Sequence, residues 1–123
     1  MENDLETKTI DEIVSIYAKN AAAYREAITH GTADEANAAY DRVWRCSKEL
    51  KKRGPEAQRA LLPLLNDNSP DVRVCAATAA LEFAPELGVA ELERLANSTF
   101  KCGVNAQLIL QEWSRGKLKL QKS

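Results

Sequence analysis

The stretch Leu61 to Phe83, LLPLLNDNSPDVRVCAATAALEF, decides the fold, because it holds two helices, the turn between them and most of the small, close-packing residues. Leu61, Leu62, Leu64 and Leu65 form the apolar end of a first helix. Asn66 to Ser69 form a turn, in which Ser69 is a natural N-cap and Pro70 takes the first helical position, where a missing N–H costs nothing. From there Val72, Cys75, Ala76, Ala79 and Phe83 recur at three- and four-residue steps, and Val74, Ala77 and Leu81 make a second apolar stripe beside them. A helix apolar on two sides requires neighbours on two sides.

The same hairpin recurs 30 residues later without a gap: Leu62 and Leu65 correspond to Leu92 and Leu95, Val74 to Val104, Ala76 to Ala106, and Phe83 to Trp113. A period in this range belongs to helical solenoids, where each pair buries its faces against the next. Two positions depart from the match. Ala77 becomes Gln107 and Leu81 becomes Gln111, so one apolar stripe turns polar, as a terminal cap requires.

Working outward, 123 residues fit one domain, with 45% hydrophobic and 28% charged residues and only 5 Gly and 4 Pro, the composition of a soluble globular chain. A net charge of −1 provides no general attraction to nucleic acid or anionic membrane. No apolar run reaches the length of a membrane span, and the opening MENDLETK is acidic where a signal peptide is basic, so a cytoplasmic location is expected. The 3 cysteines, Cys46, Cys75 and Cys102, are widely spaced and read as buried structural thiols.

Residues 1–8 are polar and read as frayed or loosely docked. Helix one comes next, with Ile10, Ile13, Val14, Tyr17, Ala21, Tyr24 and Ile28 on one stripe, Asp11 and Glu12 in the first turn, and His30-Gly31 as its end. Helix two starts near Thr32 to Glu35, capped by Thr32 or Asp34, and runs to Arg53. Its buried stripe is expected to be Ala36, Tyr40, Val43, Trp44, Ser47 and Leu50. Gly54 and Pro55 mark the next boundary, and Pro63 is expected to bend helix three. Pro85 opens helix five, which carries Leu87, Leu92, Leu95 and Ala96 and is broken by Asn97 and Ser98. Helix six takes Val104, Ala106, Leu108, Ile109, Leu110 and Trp113 and stops at Gly116, before a basic tail with Lys117, Lys119 and Lys122. The prediction is an all-α single domain spanning 1–123, about six helices in three antiparallel pairs with the pair at 55–83 in the middle, and Trp44, Phe83 and Trp113 in the core.

Catalytic chemistry is not written in this chain. It has 1 His, next to Gly, and lacks a metal-ligand set, a G-x-S-x-G elbow, a phosphate-binding glycine loop and a Cys/His pair. No cofactor and no enzyme activity are expected. Helical repeats of this kind present a rigid surface to another macromolecule.

The leucine-rich helix with an internal proline, the Asn/Asp turn and the opening Pro70-Asp71-Val72-Arg73 resemble a HEAT repeat, and the resemblance implies a short HEAT-like α-solenoid. In such repeats the turn acid and the opening arginine, here Asp67 and Arg73, pair across neighbouring turns. Val72, Arg73, Ala76 and Ala77, with Leu110, Trp113 and Gly116 closing the chain, further resemble a small bacterial family of HEAT-like domains associated with toxin systems as presumed immunity proteins. That resemblance implies a cytoplasmic inhibitor, monomeric when free, that covers the active site of a toxin's C-terminal domain. A regulatory adaptor and a HEAT-like nucleic-acid binder are the alternatives, the second disfavoured by charge. The second helices of solenoid pairs line the concave face, so the expected partner-binding residues are Asp41, Arg45 and Lys48, then Asp71, Thr78 and Glu82, then Lys101 and Glu112. Glu2, Asp4, Asp11 and Glu12 offer a competing acidic patch.

Overall fold

Capping fixes most of the element boundaries. At Thr9 the side-chain oxygen accepts the Glu12 N–H while the Glu12 carboxylate accepts the Thr9 N–H, and Thr32 and Glu35 repeat the arrangement, so the first two helices each start on a capping box. These are α1, Ile10–His30, and α2, Ala33–Arg53, joined by only Gly31 and Thr32. The computed structural model describes residues 2–116, and side chains from Leu5 onward.

Every regular element among the described residues is helical. After α1 and α2 come α3, Pro55–Arg59; α4, Pro70–Phe83; α5, Pro85–Ala96; and α6, Cys102–Ser114, with 3-10 turns at Glu2–Thr7 and Leu62–Asn66. Pro55, Pro70 and Pro85 each occupy a first-turn position, and Ser69 accepts the Val72 N–H at 3.4 Å. Gly54 bridges α2 and α3 at φ 114°, a backbone conformation open to glycine and strained for other residues. By Cα proximity the chain divides into two compact units between Leu61 and Leu62.

In the first unit α1 packs along α2, and α3 packs on α2. The buried stripe of α2 is Ala36, Ala39, Val43, Cys46, Ser47 and Leu50. It is rotated from the expected one: Tyr40 is 56% exposed and Trp44 half-buried, because small residues at 36 and 39 let α1 come close and turn the two large rings to the flank. Ile28, expected on the buried side of α1, is also exposed. The opening segment is docked on α2, with the Arg53 guanidinium donating to the Leu5 carbonyl at 2.8 Å and Lys52 paired with Glu6 at 3.2 Å.

In the second unit α4 packs on the 3-10 turn, α5 and α6, and α5 packs on α6. The core is Val74, Ala77, Leu81, Leu92, Leu95, Cys102 and Ala106, with Leu65, Ile109, Leu110 and Trp113 packed against it. Pro63 does more than bend its helix. Its ring excludes the i−4 carbonyl of Arg59 from a helical bond, so α3 ends at Arg59 and the chain resumes as a 3-10 turn. Phe83 and Trp113, like Trp44, are half-buried rather than central. In α6, Val104 and Leu108 are 66% and 54% exposed, against the expectation for both, and Leu87 of α5 is exposed too. The basic residues Lys117, Lys119 and Lys122 lie outside the described residues.

Candidate functional site

Of the eight expected partner-binding residues, three fall on one face of α2. Asp41 and Arg45 are one turn apart and pair at 2.6 Å, while the Lys48 ammonium sits 5.9 Å from the Trp44 ring centre. The rings beside them, expected in the core, complete this surface instead. Tyr40 packs against Tyr24 of α1 in a tilted arrangement, with centroids 5.6 Å apart and ring planes at 45°, so a largely exposed ring is held by a second ring on the adjoining helix. Aromatic rings and Arg are the residue types that anchor protein interfaces, and a mixed Asp/Arg/Lys fringe is the usual rim. Cys46 lies on the opposite, buried side of α2, where desolvation pushes its thiol up to about 11, away from nucleophilic use.

The other five are in the second unit. Asp71, Thr78 and Glu82 lie along one stripe of α4 and are half-buried, as is Glu112 near the end of α6; only Lys101, at the start of α6, is exposed. The Thr78 hydroxyl donates to the Val74 carbonyl at 2.7 Å, back into its own helix. Because α4 is packed by three elements, its stripes are less open than a solvent-facing reading of them requires.

The helix-opening Arg73 takes a different partner from the expected one. Its guanidinium donates to the Asp67 backbone carbonyl, whereas the Asp67 carboxylate accepts the Ser69 N–H at 3.0 Å within the turn. The ionic partner of Arg73 is Glu91 of α5, at 3.2 Å and 5% exposed, and Glu91 is met on its other oxygen by Arg94 at 3.4 Å. The Phe100 ring covers the Arg73 guanidinium at 5.7 Å. Arg73 Nε and Glu91 Oε2 face each other as an ion pair without hydrogen-bond geometry. This cluster ties α4 to α5 and to the turn before α6. Sequence reading passes over Glu91, although Gly88, Glu91, Leu92 and Leu95 share the stripe spacing of the buried face.

The competing acids Asp11 and Glu12 line a shallow, open depression with Lys8, Ser15 and Ile16, and Glu12 is engaged in the α1 capping box. The side chains of Glu2 and Asp4 lie outside the described residues. His30 is exposed at the end of α1, 3.2 Å from Glu26. Among the described residues no group of three or more His, Cys, Asp or Glu side chains is placed to hold a metal ion, and no helix is long and apolar enough to cross a membrane.

Residues 11–113 match the family described as Domain of unknown function (DUF2019), and the chain belongs to that family. It is similar in fold to the crystal structure of the protein RPA1889 from Rhodopseudomonas palustris CGA009, with a TM-score of 0.88 and 24% identity over 95% of this chain and 98% of that one. No curated protein matches.

Proposed function

We propose that the chain is a non-catalytic protein-binding module that docks its partner on the aromatic edge of α2. The carrying observation is Tyr40, 56% exposed yet buttressed by Tyr24, beside Trp44 and its overlying Lys48. Large rings held rigidly at the surface lose little conformational freedom on binding and contribute much of an interface's energy. Asp41, Arg45 and Lys48 form its charged rim.

The repeated hairpin and the sequence resemblance to HEAT-like immunity domains support a finer reading: a cytoplasmic immunity protein that neutralises a cognate bacterial toxin by covering its active site. Co-expression with the C-terminal domain of a toxin encoded beside it tests both levels. Growth rescue and co-purification are expected, and a Tyr40→Ser, Lys48→Glu double variant should weaken binding about a hundredfold with an unchanged melting temperature. A double variant that binds at full strength removes the α2 edge from the interface. If the wild-type chain binds and rescues nothing encoded beside it but captures a regulator or transporter, the immunity reading falls and the adaptor class takes its place.

A further inference from the structure

Tyr40, Trp44, Lys48 and Lys52 follow one another at four-residue steps, so they stand in one line along α2. One end of that line is occupied by the chain's own acidic opening. Glu6 reaches the Lys52 ammonium at 3.2 Å, where Glu49 of α2 also stands at 3.8 Å. Beside it the Arg53 guanidinium donates to the backbone carbonyls of Leu5 and Glu6 at 2.8 and 3.4 Å. The segment held there, Glu2–Thr7, reads ENDLET and carries three acids and no cation. One turn further up, Lys48 lies over the Trp44 ring and forms no ion pair among the described residues.

We infer that the partner of this edge presents an acidic segment, which takes the same line with a carboxylate on Lys48 and an apolar side chain against Trp44 and Tyr40. The inference rests on the α2 edge being the docking surface. Charge selects the occupant. From Asp41 to Arg53, α2 carries six cations against Asp41 and Glu49, in a chain whose net charge is −1. Asp41 answers Arg45 at 2.6 Å and Glu49 answers Arg53 at 2.9 Å, and Lys48 belongs to the surplus. The docked opening shows what such a segment offers: a carboxylate for the ammonium and main-chain carbonyls for the guanidinium. An exposed ion pair is weak and exchanges readily, so the opening and the partner compete for Lys52. A nucleic-acid strand fits the line less well, because Asp41 stands on its flank and successive phosphates need an uninterrupted positive track.

Nitrogen-15 amide spectra of the full chain, titrated at low salt with a blocked peptide carrying ENDLET twice, test this. Binding should be weak, with a dissociation constant of about 0.1 to 1 mM, and the largest shifts should fall on Tyr40, Trp44 and Lys48. Lys48→Glu should weaken it about tenfold, and Glu6→Gln, which releases Lys52, should tighten it about twofold. Lys19→Glu, on an exposed cation of α1, should leave it unchanged. The same peptide with every acid replaced by its amide should bind about tenfold more weakly. Shifts confined to other elements, an amide peptide that binds as well, or parental affinity in Lys48→Glu would each overturn the inference. Should Lys48→Glu fail to fold, Lys48→Gln takes its place. An oligothymidylate that moves the same amides at lower concentration would also overturn it and assign the line to nucleic acid. If a co-expressed protein partner is lost by Tyr40→Ser but kept by Lys48→Glu, the edge remains the docking surface and only its acidic occupant falls. If neither variant loses that partner, the edge falls as well.

Discussion

α4 and α6 stand 30 residues apart in register and carry similar patterns, yet Val74 is 5% exposed and Val104 66%. Ala76 and Ala106 are both buried, as are Val72 and Cys102, so the two helices agree on one stripe and part on the next. The difference lies in their neighbours: α4 is covered by α5, and no described helix comes after α6. Burial thus belongs to a residue's neighbours as much as to its type. Gln107 and Gln111 announce this in the sequence. Val104 and Leu108 do not.

The largest expected effect comes from the link that α6 lacks, since the residue corresponding to Arg73 is Gly103. Glu91→Ala leaves the Arg73 guanidinium half-buried beside an apolar hole and should cost about 3 to 5 kcal/mol in urea unfolding. Arg73→Ala should cost less, about 1 to 3 kcal/mol, because Arg94 still neutralises Glu91. Equal losses would mean that Arg94 carries none of the compensation.

Next in size is the contrast between covered and open positions. Leu81→Ala should destabilise by about 2 to 5 kcal/mol, whereas its counterpart Gln111→Ala, on an exposed position, should stay within about 0.5 kcal/mol. Similar values for both would erase the comparison. Smaller again is Gly88→Ala. A Cβ there would stand 2.6 Å from the Ala77 carbonyl oxygen and 3.1 Å from the Leu81 nitrogen, so α4 and α5 must move apart at a cost of about 1 to 3 kcal/mol. The melting temperature should fall, and a stabilised variant would show that the helix pair has slack. Smallest is Val104→Ala, which should leave stability within about 0.5 kcal/mol of the parent, since Val104 is exposed.

Boundaries are legible in the sequence because they depend on local chemistry. Thr32, Ser69 with Pro70, Pro85 and the break at Asn97 act within one turn, and the structure uses each as the sequence implies. Helix faces are legible only to within a stripe. Periodicity groups Tyr40 and Trp44 with Val43 and Leu50, but the choice between neighbouring stripes depends on how closely α1 approaches Ala36 and Ala39. Pro63 reads as a bend because its full consequence depends on whether the residues after it keep α or 3-10 hydrogen bonds. Glu91 escapes a sequence reading because a charged residue is assigned to solvent by default, while the partner that lets it be buried lies 18 residues earlier on another helix. Of the candidate site, the charged rim on α2 is legible from spacing, whereas the rings that give it substance carry the pattern of core residues.

The paired capping boxes at Thr9 and Thr32 carry a kinetic consequence. Each nucleates a helix from contacts within one turn, and two linking residues bring the helices together at almost no loop-closure cost. The α1/α2 hairpin is therefore a low-contact-order element, able to form as soon as residue 53 is synthesised, whereas the Arg73–Glu91 link must wait for α5 to return onto α4. Pulse-labelled hydrogen exchange during refolding should find α1 and α2 amides protected before those of α5. Simultaneous protection would instead mark α5 as part of the folding nucleus.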